Sequence, residues 1–356
     1  MSRPFYTGAD PEGAHFPPGP GDPSCPGDPG YPPPVPARPR LTFFVELEAG
    51  PLAALFARPE VLPFLAGNGC AVSLGLLDLS AERAGCIRRL EAAGVPVTAW
   101  LLLEVAEGYW LNADNAARAR ERWHDVHAWA EREGLALARV GLDVEFPRAE
   151  SKGVLRDRRA AVLDMFRRRR PRAAVRRAEH DYAALVAEIR ATGRSVEAYH
   201  FPHLLDERAA GSTLLRRSLG LVDVAVDAEV FMLYATYLGR GGARAYFPDA
   251  ACIALGVTGG GVHAKEPEAR SRHLTWEALE PELRAAAEHT SEVYVFSLEG
   301  CVEKGWLERI AQISWQAQAP PLPRGERARA AVGRAFARAL FRAEPLFDRL
   351  LPARRP

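Results

Sequence analysis

Residues 138–146, ARVGLDVEF, decide how this chain is read. Val140, Leu142 and Val144 alternate with Gly141, Asp143 and Glu145, a period of two that marks a β-strand. Alternation sends Asp143 and Glu145 to the same side, two residues apart, at the outgoing end of the strand. Carboxylates in that place are costly to bury and pack poorly, so their presence points to use rather than to packing.

Working outward, the same grammar repeats on both sides. Upstream stand LTFFVEL (41–47), AVSLGLLDL (71–79) and PVTAWLLLE (96–104). Downstream stand SVEAYHFPHL (195–204), a sixth strand within 222–237, ACIALGV (251–257) and VYVFSLEG (293–300). Helical patterns fill the intervals: 51–65, a helix from the Ser80 N-cap to Ala93 with Gly94 as its stop, and 114–133 closed by Gly134. Others cover 179–191, 214–221, 274–289 and a stretch from Lys304. Eight strands alternating with helices predict a parallel sheet closed into a single (β/α)8 TIM barrel over residues 41–318. An open doubly wound sheet is disfavoured, because neither GxGxxG nor GxxxxGK[ST] follows the first strand.

The flanks read differently. Residues 1–40 hold nearly half of the chain's 29 prolines and predict a disordered Pro/Gly-rich arm, since such a segment buries too little apolar surface to offset its ordering entropy. Residues 319–356 predict a linker and one basic amphipathic C-terminal helix over 326–350. Within the barrel, 156–177 carries ten arginines but only Phe166 as an aromatic, so it lacks a stacking platform for single strands and reads as a solvated helix-loop. A net charge of +1 over 356 residues gives no global pull toward nucleic acid or anionic lipid. Cys25, Cys70, Cys86, Cys252 and Cys301 are scattered without metal spacing, which fits reduced thiols. No stretch has the length and apolarity of a membrane span and no apolar leader opens the chain, so the expectation is a soluble cytoplasmic protein without a membrane or nucleic-acid partner.

In a (β/α)8 barrel chemistry sits at the C-terminal ends of the strands. The residues predicted there are Glu46, Asp78, Glu104, Asp143, Glu145, His200, His203, Asp206, Asp227, Glu229, Tyr234 and Glu299. Tyr109, Trp110, Phe146, Tyr199, Phe201 and Tyr237 keep them aromatic company. Carboxylates accept hydrogen bonds from hydroxyls and sugar faces stack on aromatics, so the mouth suits an uncharged carbohydrate or another small polyhydroxylated molecule. Glu145, Asp143 and Glu299 are the expected catalytic groups, and Tyr234, Tyr199, Glu104, Trp110, Glu46 and Glu229 the expected substrate-binding ones. One carboxylate beside another has its pKa raised, which is what a general acid needs near neutral pH.

VGLDVEF resembles the DxxDxDxE signature of the family-eighteen chitinase-like glycoside hydrolases, and Met232-Leu233-Tyr234 is similar to their Met-x-Tyr. The first two acidic positions of that signature fall on Ala138 and Gly141 here. The resemblance implies a signature on strand four of a (β/α)8 barrel, with Glu145 as proton donor and Asp143 orienting a substrate N-acetyl group that Tyr234 helps to bind. It implies no cofactor.

Two other readings stay open. Within glycosidase chemistry, Glu299 or Glu229 acts as nucleophile or base opposite Glu145, with the carboxyl separation setting the stereochemical outcome. Alternatively Glu145, His200 or His203, Glu229 or Asp227, and Glu299 form a divalent-metal site like that of xylose-isomerase-like barrels, where Mn or Mg polarises a sugar carbonyl. A non-catalytic barrel that binds carbohydrate or polyanion is the remaining class.

Overall fold

The computed structural model describes residues 38–147, 169–261 and 273–350. The chain divides into two units, Met1–Pro34 and Val35–Pro356, and every described residue belongs to the second. Residues 1–37 of the expected arm, Cys25 among them, and residues 156–168 of the arginine run lie outside the described residues, while Arg40, the arm's expected last residue, already belongs to the first strand.

Eight parallel strands close into a barrel in chain order: β1 (Arg40–Val45), β2 (Ala71–Gly75), β3 (Val97–Leu101), β4 (Arg139–Asp143), β5 (Ser195–His200), β6 (Ala228–Met232), β7 (Cys252–Gly256) and β8 (Glu292–Phe296). β8 returns to β1 with Tyr294 opposite Thr42. The expected (β/α)8 barrel is therefore the fold. One face of each strand, with Phe43, Val72, Ala99, Val140, Ala198, Phe231, Ile253 and Val295, joins the apolar layer under the helices. The other face fills the barrel with Phe44, Trp100, Tyr199, Val230, Ala254 and Tyr294.

The helices are α1 (Ala49–Ala57), α2 (Val61–Gly67), α3 (Ala81–Ala92), α4 (Ala116–Glu133), α5 (Arg172–Ala191), α6 (His203–Ala210), α7 (Leu214–Leu219), α8 (Ala235–Arg244), α9 (Trp276–Ala287), α10 (Leu298–Glu303), α11 (Leu307–Ala311), α12 (Arg324–Arg342) and α13 (Glu344–Leu350). Ser80 caps α3 by accepting from the Arg83 amide at 3.2 Å, and Gly134 ends α4 in the left-handed region at φ 65°, as the sequence predicts. Cys70, Cys86, Cys252 and Cys301 are free and buried. Among the described residues no helix is long and apolar enough to cross a membrane.

Three boundaries differ from expectation. The strands stop several residues before their apolar runs do, because the chain leaves the ladder while its side chains still pack on the barrel rim. β8 ends at Phe296; Ser297 then caps α10 by accepting from the Gly300 amide at 3.2 Å, so Glu299 lies in a first helical turn rather than on a strand. The C-terminal helix breaks at Ala343 into α12 and α13.

That C-terminal pair is fastened to the barrel by charge. Buried Asp206 on α6 accepts from Arg334 at 2.9 Å, Arg338 at 2.8 Å and the Tyr246 hydroxyl at 2.7 Å. Buried Glu344 accepts from Ser212 Oγ at 2.8 Å, the Thr213 amide at 2.8 Å and Arg217 at 2.8 Å. The end of the arginine run joins the same fastening: Arg169 reaches Asp348 at 3.4 Å and Arg172 reaches Glu344 at 2.9 Å.

Candidate active site

Asp143 closes β4, and the next two residues continue its direction against a second partner. The Leu111 amide donates to the Asp143 carbonyl at 2.8 Å, the Glu145 amide to the Leu111 carbonyl at 3.1 Å, and the Val144 amide to the Tyr199 carbonyl at 3.2 Å. Both sides of this backbone are thus held, and the two carboxylates keep the inward register set by Gly141. Asp143 is 2% exposed; Trp100 Nε1 donates to its Oδ2 at 3.0 Å, and its Oδ1 finds no donor among the described residues. Burial, reinforced by the Glu46 charge, pushes the Asp143 carboxyl up to about 8.

Glu145 lies beside it, half-buried at the mouth. Burial first, then the charges of Asp143 and Glu46, hold its carboxyl well above the usual range. The interaction between the two carboxyls raises Glu145 further and opposes, without overcoming, the upward push of burial on Asp143. Glu145 is the outer member of the pair.

Three further elements converge here. Glu46 follows β1 and accepts from the Tyr109 hydroxyl. Glu299 Oε1 accepts from the Gly261 amide at 2.9 Å and the Glu46 amide at 3.4 Å, while its buried Oε2 has no partner among the described residues. Burial raises the Glu299 carboxyl to about 7. The loop after β7 presses its backbone onto these groups: a Cβ on Gly260 (φ +77°) would stand 2.2 Å from Glu299 Cγ, and one on Gly261 (φ +79°) 2.7 Å from Glu46 Oε2. Tyr234 faces the Glu145–Asp143 pair, whose charges together with burial raise its phenol. Its ring lies 6.1 Å from Phe296, which in turn packs 6.4 Å from Trp100. Trp110 stands edge-on to Tyr109 at 5.5 Å.

The other predicted residues lie elsewhere. Tyr199 sits deeper in the barrel, its hydroxyl paired with Ser73 Oγ at 2.6 Å and donating to Glu197 at 2.7 Å. Glu104 is exposed on the rim. Asp78 pairs with Arg83 at 2.7 Å beside the α3 cap. His203 and Asp206 belong to α6, with His203 against Tyr246 and Asp206 tied to Arg334. Asp227 precedes β6, at the barrel end opposite the mouth, where it accepts from the Val196 amide at 2.7 Å and pairs with Arg190 at 2.8 Å. Phe146 and Phe201 stack on each other at 5.5 Å, and Tyr237 is exposed.

The four residues of the metal reading are not brought together. Strand alternation turns Tyr199 inward and therefore His200 outward. His200 lies over Phe231 in the layer beneath the helices, 3.9 Å from Glu229, which points outward too and is paired with Arg208 of α6. Burial lowers the His200 imidazole to about 4. Glu145 and Glu299 are at the mouth, on the other side of the barrel wall. Among the described residues no group of three or more His, Cys, Asp or Glu is arranged to hold a metal ion.

Two contributors were absent from the sequence reading. Trp100 was quoted only as part of an apolar run, although its position two residues before Leu102 on the inward face marked it as a mouth residue. The triple glycine 259–261 is the other, and its packing against Glu46 and Glu299 is a long-range contact that no local pattern announces.

No family model matches the chain, and no curated protein matches it. Solved structures similar to it include the PgaB (BpsB) glycoside hydrolase domain from Bordetella bronchiseptica, 10% identical over 79% of this chain and 100% of that one, with a TM-score of 0.43. They include ScGas2 in complex with compound 8, 12% identical over 80% and 68%, TM-score 0.44. They also include D-allulose 3-epimerase from Methylomonas sp., 10% identical over 84% and 99%, TM-score 0.41. At these identities and scores the likeness carries no argument about chemistry.

Proposed function

We propose that the mouth is the active site of a glycoside hydrolase-like enzyme that acts on a carbohydrate by general acid catalysis. The observation that carries the reading is the Asp143–Glu145 pair: two adjacent carboxylates held by backbone on both sides, with burial and the neighbouring Asp143 and Glu46 charges holding the outer one well above the usual carboxylate range. Glu145 gives its proton to the glycosidic oxygen as the bond to the anomeric carbon breaks, and water completes the hydrolysis. Asp143, pinned at Oδ2 by Trp100, keeps Oδ1 to steer either Glu145 or a substrate group at the anomeric carbon. Glu299, with Oε2 unspent, is the second carboxylate of a two-carboxylate mechanism. Tyr234 and Trp110 offer ring faces to the sugar, and Glu46 and Tyr109 accept and donate at its hydroxyls.

Neutral oligosaccharides, N-acetylated ones first, are the substrates to try. Glu145→Gln abolishes turnover while circular dichroism and melting stay at the parent values; turnover at the parent rate in this variant would sink the assignment. Chelation leaves activity unchanged, and loss on chelation with recovery on added Mn or Mg would transfer the chain to the isomerase reading.

A further inference from the structure

Away from the mouth, α12 lies along α8 and leaves a cavity of about 590 Å³ between them. Five arginines line it: Arg244 from α8, and Arg327, Arg334, Arg338 and Arg342 from α12. The spacing within α12 keeps its four on one helical face over up to about 22 Å of axis. Three carboxylates answer them. Glu282 takes Arg244 at 2.8 Å, Asp206 takes Arg334 and Arg338, and Asp249 takes Arg334 at 2.7 Å. Five guanidinium groups against three carboxylates leave two positive charges over. They reside on Arg327 and Arg342, whose guanidinium groups form no hydrogen bond or ion pair with the described residues. Arg338 spends only Nε, on Asp206.

Guanidinium groups with unspent donors in a concave site recognise sulfate, carboxylate or phosphate oxygens. The surplus is strung along the helix rather than gathered at a point, so the matching ligand is a linear one with spaced charges. The lining includes the small residues Ala330, Ala331 and Ala335, and among the described residues no aromatic side chain lines the cavity. Without a stacking platform, single-stranded nucleic acid has little to hold it beyond its phosphates.

We propose that the groove between α8 and α12 binds a linear anionic polysaccharide through Arg327, Arg338 and Arg342. The site is separate from the mouth and stands whether or not the catalytic reading does. It does adjoin the mouth along the chain, because α8 starts at the residue after Tyr234.

The test uses the full chain with three fluorescent probes: a heparin-derived hexasaccharide, a neutral N-acetylated hexasaccharide and an oligothymidylate of similar charge. The sulfated probe binds, more weakly as salt rises, and the double variant Arg327→Glu/Arg342→Glu weakens it by about tenfold or more without lowering the melting temperature. Glu145→Gln leaves this binding unchanged, which separates the groove from the catalytic proposal. Absence of binding by the parent at low salt, or equal binding by the double variant, overturns the inference. Oligothymidylate bound as tightly as the sulfated sugar overturns it too, in favour of a nucleic-acid surface.

Discussion

The barrel interior holds two sets of buried carboxylates, one above the other, and they are treated in opposite ways. In the lower layer Glu197, 1% exposed, accepts from Tyr199 at 2.7 Å and Tyr294 at 2.9 Å and meets Arg139 at 3.4 Å. Arg139 also binds Glu292 at 3.1 Å, and Ser73 completes Tyr199. Every lone pair that matters has been spent. In the upper layer, at and beyond the ends of β4 and β8, Asp143 Oδ1 and Glu299 Oε2 have no partner among the described residues and Glu145 opens to the mouth. Burial alone does not separate the two layers, since both hold buried carboxylates; unspent acceptors do.

The comparison is open to direct attack. Its largest consequence is kinetic: Glu145→Gln lowers kcat on a cleaved oligosaccharide by about 10²–10⁴-fold, the usual worth of a general acid. Glu197→Ala acts on stability instead, costing about 3–5 kcal/mol because it removes the buried acceptor shared by Tyr199, Tyr294 and Arg139 and leaves the Tyr294 hydroxyl without its partner. Denaturant titration measures it. A stable Glu197→Ala protein that has lost activity would invert the assignment of the layers.

Gly260→Ala comes next. The added Cβ displaces Glu299, and a misplacement of that size costs on the order of 10²-fold in kcat with little change in fold. An unaffected rate would remove Glu299 from the mechanism.

A smaller effect separates the layers by pH. The Asp143 carboxyl lies near 8 in the folded chain against an ordinary value of 3.8. The folded state therefore holds a proton that the unfolded state releases, and stability from this pair is fullest below about pH 4 and declines as pH rises toward 8. Asp143→Asn should melt higher than the parent at pH 8 and show no such gain at pH 4. At about 2–4 °C per kcal/mol, calorimetry resolves the difference. Identical offsets at both pH values would mean that Asp143 is ionised in the fold. Smallest is Tyr234→Phe, which removes one hydroxyl beside the pair and lowers kcat/KM by about five- to tenfold.

The barrel was legible because period-two runs and helical patterns alternate cleanly from Leu41 onward, and closure follows from their number. The acidic pair was legible for the same reason, being a matter of parity on a single strand. Facing was not legible where the start of a strand was uncertain. β6 was placed only within a sixteen-residue window, and a shift of one residue exchanges the faces, which is why Asp227 and Glu229 were assigned to the mouth. Depth was not legible either. Tyr199 has inward parity, but only the Gly141 gap explains where its hydroxyl goes, since a Cβ there would stand 2.2 Å from it.

The fastening of Asp206 has a consequence for how the chain is made. Its two arginines lie 128 and 132 residues further on. During synthesis α6 emerges long before its counter-ions do, and β1 likewise waits for β8. Until then Asp206 stays hydrated and the sheet keeps two open edges, exposed to pairing with neighbouring chains. α12 and α13 thus act as a closing stitch, and a chain cut at residue 318 leaves Asp206 with neither of its arginines to meet it.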